Sequence, residues 1–102
     1  MAVRCVALQR EIGRDATGRH VGSQLVRAAT SAGANYEEAR RAQSRADFVH
    51  KVALAAKEMG EVVYWLRLCL RLRVTPDAAL ANEANELVAI LVASAKTARA
   101  RL

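Results

Sequence analysis

Apolar side chains recur through the middle of the chain at alternating steps of four and three: Phe48, Val52, Ala55, Met59, Val62, Leu66 and Cys69. That spacing is a sustained heptad seam, which keeps one stripe of an α-helix turned toward helices lying nearly parallel to it. Ser44 and Asp47 stand at capping-box spacing ahead of the seam, with Asp as a shorter stand-in for Glu. The predicted helix runs from Arg45 to Arg73, about 43 Å at 1.5 Å per residue. Arg67, Arg71 and Arg73 fall in its last turns, where cations suit the negative end of the helix dipole. Thr75-Pro76-Asp77 then reads as an N-cap, a proline at the first helical position and a first-turn acid. Leu80, Ala84, Leu87 and Leu91 resume the four-three stepping, extended by Ala95 and Ala98, so the last helix should reach Arg99. Lys96, Arg99 and Arg101 serve there as dipole partners.

Upstream, Val21, Leu25, Ala28, Ala32, Asn35, Ala39 and Ala42 step in the same way, predicting a helix from Arg19 to Gln43. Its seam is built of small side chains, so neighbours can approach closely. Gly33 costs this helix about 1 kcal/mol relative to alanine, a penalty that close packing could offset. Asn35 places a polar group in the seam, a device that fixes register or oligomeric state. Before it, Val3, Val6, Ala7 and Ile12 make a short amphipathic stretch ending near Gly13, and Asp15-Ala16-Thr17-Gly18 has turn chemistry. One short helix and three long ones with tight connections give an all-α, antiparallel up-down four-helix bundle, because short loops make sequential neighbours antiparallel. The chain, residues 1–102, reads as a single domain.

The apolar surface of that bundle does not balance. The second half of the third helix carries Val62, Val63, Tyr64, Trp65, Leu66, Leu68, Cys69, Leu70 and Leu72, which point nearly all round the axis. A helix apolar on more than one face has more than one partner surface, and a contiguous exposed patch marks an interface. A homo-oligomer is therefore expected, with Tyr64, Trp65 and Leu68 among its anchors. Composition agrees with the helical reading: alanine makes up about a fifth of the chain, with 5 Gly, 1 Pro and 4% aromatics, few breakers and much helix former. Val62 to Leu72 is interrupted by Arg67 and Arg71, so no span of a bilayer is expected. The opening residues lack the apolar run of a secretion signal, and a cytoplasmic location follows as the expectation.

Charge changes the picture. Sixteen Lys and Arg against ten Asp and Glu leave +6, an excess that attracts polyanions at long range. Thirteen of the sixteen are Arg, the residue suited to phosphate forks. The candidate nucleic-acid surface is Arg40, Arg41, Arg45 and Lys51, spanning the link between the second and third helices. Glu37 and Glu38 precede it, and Glu37 to Arg41 has the i,i+4 spacing of an intrahelical pair. Without interleaved aromatics or helix-turn-helix spacing, such a patch would hold phosphates without reading sequence, and a ring-like oligomer would repeat it into a larger one.

Other chemistry finds little footing. Asp47 with His50, and Glu58 with Glu61, share helix faces, but Glu-x-x-His is missing, so neither a metal site nor a cofactor is expected. Ser31, Ser44, Cys5 and Cys69 have no base beside them in sequence, and no phosphate loop or dinucleotide fingerprint occurs. Cys5 and Cys69 read as reduced, small hydrophobes. An enzyme is not expected.

The run from Gln24 to Ala39 resembles the second-helix signature of the bacterial four-helix-bundle proteins first noticed as products of intervening sequences in 23S ribosomal RNA genes. Gln24, Arg27, Ser31, Asn35 and Glu38 match its Q-L-x-R-x-x-x-S-x-x-x-N-x-x-E pattern position by position. Ser44 to Lys51 resembles the family's S-x-x-D/E-F start to the third helix, and Glu58, Glu61 and Trp65-Leu66 fit its later turns. The resemblance covers residues 19 to 73 well and the last helix only by character. It implies a homopentameric four-helix bundle and no catalytic residues. It also implies kinship with accessory proteins of diversity-generating retroelements, basic pentamers that associate with a reverse transcriptase and nucleic acid. The family's first helix is usually longer, so a trimmed N-terminus is expected here. Ser31, Asn35 and Glu38 are read as structural polar residues, the first two as buried glue between helices. The expected function is a non-enzymatic oligomeric module whose basic surface associates with RNA or DNA, beside a partner enzyme such as a reverse transcriptase. The alternative is a protein–protein interaction scaffold whose charge serves solubility.

Overall fold

Short, chemically specific caps decide where the helices begin and end. The computed structural model describes residues 1–75 and 78–102, and among them lie α1 (Ala2–Glu11), α2 (Ala16–Arg40), α3 (Arg45–Arg71) and α4 (Ala78–Arg99). Asp15 caps α2 by accepting a hydrogen bond from the Gly18 amide at 2.7 Å, so the stretch expected to be a loop forms the first turn of the helix instead. Gly18 is needed there: a β-carbon would fall 2.0 Å from the Gly13 carbonyl oxygen. α2 ends at Arg40, short of Gln43, where the Arg41 and Ala42 amides tighten onto the Glu38 and Ala39 carbonyls at 3.1 Å. Ser44 then caps α3 as expected, its hydroxyl accepting from the Asp47 amide at 3.0 Å.

α3 stops before Arg73 for a geometric reason. Arg73 adopts φ 58°, its amide donates to the Leu70 carbonyl at 3.1 Å, and the Val74 amide reaches back to Cys69 at 3.0 Å. These paired backward bonds around a left-handed residue form a Schellman closure, ordinarily given to glycine. Thr75 is buried at the start of the final connection. Pro76 and Asp77, the expected first-turn residues of the last helix, lie outside the described residues.

The heptad seams are the core. Val52, Ala55, Met59, Val62, Leu66 and Cys69 of α3 are buried, as are Val21, Leu25, Ala28, Ala32 and Ala39 of α2, and Leu80, Ala84, Leu91 and Ala95 of α4. Phe48, Asn35, Ala42, Leu87 and Ala98 complete the stripes as half-buried positions. Each fully buried Leu or Val contributes about 1.5–3 kcal/mol. The long axis of the molecule is 47 Å and the others 20 and 17 Å, so the long helices lie side by side. α3 is central, packing against both α2 and α4, while α1 packs against α2. The Gln9 side chain lies against Gly22, and an Arg4–Glu83 ion pair ties α1 to α4. α1 thus closes the bundle along only part of its length.

This placement revises three expectations. The second half of α3 is apolar on several sides because it faces two helices within the same chain: Val62, Val63, Leu66 and Cys69 are buried, with Trp65, Leu68 and Leu70 half-buried against the core. Gly33 is exposed with open space where a side chain would project, so no packing within the chain offsets its helix penalty. α4, with no charge between Leu87 and Ala95, is long and apolar enough to cross a membrane by length and composition alone, a stretch other than Val62 to Leu72, on which the expectation was weighed. One face of it packs on α3, and Ile90 and Val92 stand outward at 59% and 52% exposure.

Substituting Arg73→Gly relieves the left-handed backbone and should raise stability by about 1 kcal/mol, whereas Gly18→Ala should lower it by about 1–3 kcal/mol. Urea unfolding followed by circular dichroism measures both; equal midpoints for the three proteins would contradict the cap assignments.

Candidate functional site

Five polar residues of α2, Gln24, Arg27, Ser31, Asn35 and Glu38, follow one another at steps of three and four and so share a face of the helix. Two of them reach α3. Arg27 donates to Glu58 at 3.2 Å and pairs with Glu61, while its Nε donates to Gln24 Oε1 at 3.1 Å. Glu58 and then Glu61 hold the Arg27 guanidinium above its ordinary pKa. Further along, Lys51 Nζ lies 2.7 Å from Glu38 Oε2; the pair raises the lysine and lowers the carboxyl through their hydrogen bond and opposite charges. Between these clamps, Asn35 Nδ2 donates to the Ser31 carbonyl at 3.0 Å and approaches its hydroxyl at 3.5 Å. The hydrogen bonds of Ser31 and Asn35 therefore run along α2, where interhelical glue was expected. Glu38 is exposed, and its role is the ion pair across to α3.

The same contacts redraw the cationic surface. Of the four expected phosphate ligands, Lys51 is engaged by Glu38, and Arg40 pairs with Glu37 at 3.4 Å, taking the carboxylate that Arg41 was expected to hold. Arg41 and Arg45 remain, and Arg40, which meets Glu37 through one guanidinium nitrogen in an exposed contact, keeps its other donors. Arg45 leans across the end of the bundle and donates to the Arg101 carbonyl at 3.0 Å. The start of α3 and the end of α4 therefore meet, and the antiparallel order of the long helices puts Arg40, Arg41 and Arg99 at the same end of the bundle. Sequence reading assigned Arg99 and Arg101 to the helix dipole alone; the antiparallel order of three long helices was the signal that places them beside the link.

Between α3 and α4 at this end runs an open groove of about 850 Å³. Its lining includes Arg45, Arg101, Phe48, Ile90, Ser94 and Thr97 and contains no carboxylate side chain.

At mid-bundle, Tyr64 projects outward at 60% exposure. Trp65 is held edge-on between Tyr64, 4.9 Å between ring centroids, and His20 of α2 at 5.8 Å. Gly60 lies one turn before Tyr64 with nothing within 4 Å of its missing β-carbon, and a shallow depression there is lined by Gly60, Tyr64, Arg67 and Leu68. Of the expected anchors, Tyr64 is freely exposed; Trp65 and Leu68 are half-buried with edges outward.

Cys5 and Cys69 are both buried in the core as free thiols, and burial pushes both up in pKa. Among the described residues, no three His, Cys, Asp or Glu side chains gather in a way that could hold a metal ion. Asp47 and His50 are at the start of α3, and Glu58 and Glu61 are committed to Arg27.

A sequence model described as 23S rRNA-intervening sequence protein matches residues 1–93. Among solved structures, the chain is similar to a protein with unknown function from the S23 ribosomal protein family of Bacteroides thetaiotaomicron, determined at 1.70 Å. The two are 36% identical, superpose with a TM-score of 0.84, and align over 93% of this chain and 91% of the other. No curated protein matches.

Since the Glu38 carboxyl is held below its ordinary value of 4.5 by Lys51, the pair adds stability above that pH and loses it as acid titrates the folded carboxyl. Thermal melts from pH 7 down to about pH 3 should show Glu38→Gln to be less sensitive to acid than the parent chain; parallel curves would show that the pair carries no stability.

Proposed function

The chain belongs to the 23S rRNA-intervening sequence protein family, and from that membership we propose that it is a non-enzymatic, self-associating helical module that holds nucleic-acid backbone through the arginine-rich end of its bundle. The observation that carries this reading is that the antiparallel helices put Arg40, Arg41, Arg45, Arg99 and Arg101 at one end of the bundle, where Arg45 hydrogen-bonds the Arg101 carbonyl. Guanidinium groups on three helix ends offer forked donors to phosphate oxygens, and the net +6 charge adds long-range attraction. Such contacts position a backbone without reading bases.

Self-association supports the same reading, because repetition about an axis turns a five-arginine end into an extended cationic surface. We place the contact on the outward strip of α3, where Tyr64 and the edges of Trp65 and Leu68 flank Gly60. An aromatic and aliphatic strip beside a helical glycine lets a second helix approach closely. Following the family resemblance, the assembly is a pentamer, and a partner enzyme such as a reverse transcriptase would work beside it.

Binding of the full chain to polyphosphate and to arbitrary RNA should weaken steeply with salt, the logarithm of affinity falling by about 0.7–0.9 per neutralised phosphate. Arg40→Glu with Arg41→Glu should reduce the affinity at least about tenfold and flatten the slope, with the mass in light scattering unchanged. Salt-independent binding, or none, would leave the scaffold reading in its place. A β-carbon at Gly60 meets nothing within 4 Å, so Gly60→Leu should preserve helicity and yet lower the mass to that of one protomer. An unchanged mass would move the self-contact elsewhere.

A further inference from the structure

Next to the arginine-rich end, the groove between α3 and α4 has a composition that bare phosphate binding does not require. Phe48 and Ile90 offer an apolar surface, the first half-buried and the second more than half exposed. Ser94 and Thr97 bring hydroxyls, and Arg45 and Arg101 flank the groove with no acidic side chain in its lining. Arg45 spends one of its five N–H donors on the Arg101 carbonyl, which steadies the side chain and leaves the rest for a ligand. The volume, about 850 Å³, falls in the range of sites that take small, partly apolar groups.

Building on the phosphate-holding reading above, we propose that this groove seats an unstacked base of a single-stranded nucleic acid. The base lies against Phe48 and Ile90, its polar edge meets the hydroxyls of Ser94 and Thr97, and the flanking phosphates rest on Arg45 and Arg101. Charge selects the occupant: two guanidinium groups and no carboxylate side chain suit an anionic strand, and an apolar surface between them suits a base face. A duplex keeps its bases stacked and paired, so it can satisfy the arginines but not the groove.

The test compares three probes on the full chain by fluorescence anisotropy and competition: single-stranded oligoadenylate of about ten nucleotides, an RNA duplex of the same length, and polyphosphate. The single strand should bind about tenfold more tightly than the duplex, the scale of one base stacked on an apolar surface. Ala93→Leu fills the groove from an exposed position on α4; it should abolish that preference while leaving polyphosphate affinity unchanged. Phe48→Leu, which keeps the core filled, should weaken the single strand alone. Equal affinity for strand and duplex in the parent chain, or a preference that survives Ala93→Leu, overturns the base seat and leaves backbone binding standing. A change of mass on Ala93→Leu overturns it too, by assigning the groove to a second copy. Failure to bind any probe removes the phosphate-holding reading along with it.

Discussion

The structure depends on α3 being covered on two sides. Its seam residues Val52, Val62, Leu66 and Cys69 are buried, and so are Val49 and Val63 beside them, because α2 and α4 both lie along it. A helix in this position must be apolar over much of its circumference, and this one is. Leu66→Ala would remove about 2–5 kcal/mol from a domain whose whole stability is about 5–15 kcal/mol, so its size and shape are tightly constrained. The outer helices are under less constraint: α4 packs along α3, and α2 along α3 with the short α1 beside it.

Polar contacts then fix how α2 and α3 sit on each other. Arg27 with Glu58 and Glu61, and Lys51 with Glu38, cross the same interface at separate levels. These pairs are exposed and add little energy singly. Their effect is on register: sliding either helix by a turn would separate both sets of charges. The small side chains of α2, Ala28, Ala29 and Ala32, pack closely but specify position poorly, so the charged contacts supply what the alanines lack. The signature residues Gln24, Arg27, Ser31, Asn35 and Glu38 therefore have a physical account within one chain, as hydrogen-bonded and ion-paired positions along a shared face.

The incomplete reach of α1 leaves one end of the bundle open. Where α1 packs on α2 and pairs with Glu83 it covers the bundle; toward the end of α4 the groove between α3 and α4 stays open beside Arg45 and Arg101. Cationic groups and accessible apolar surface thereby occupy the same end. The outward strip of α3 near Gly60 and Tyr64 lies elsewhere on the bundle, so the proposed self-contact and the proposed ligand contact draw on different residues.

The sequence by itself determined the helices, their buried stripes and the cap at Ser44, because heptad spacing and capping chemistry are local and act over three or four residues. It also carried the family signature and the basic excess. It misjudged the closure at Arg73, since a non-glycine residue with positive φ leaves no compositional mark, and the early start at Asp15, where turn chemistry and helix capping use the same residue types. Only the tertiary structure decided which apolar faces meet: α3 lies between two helices of its own chain, and the exposed aliphatic residues Ile90 and Val92 belong to α4. The arrangement also decided the partners of the charges. Glu37 takes Arg40, Glu38 takes Lys51, and Arg45 reaches Arg101, which is fifty-six residues away in the chain. Long side chains choose partners by proximity in space, and that proximity exists only after the helices have packed.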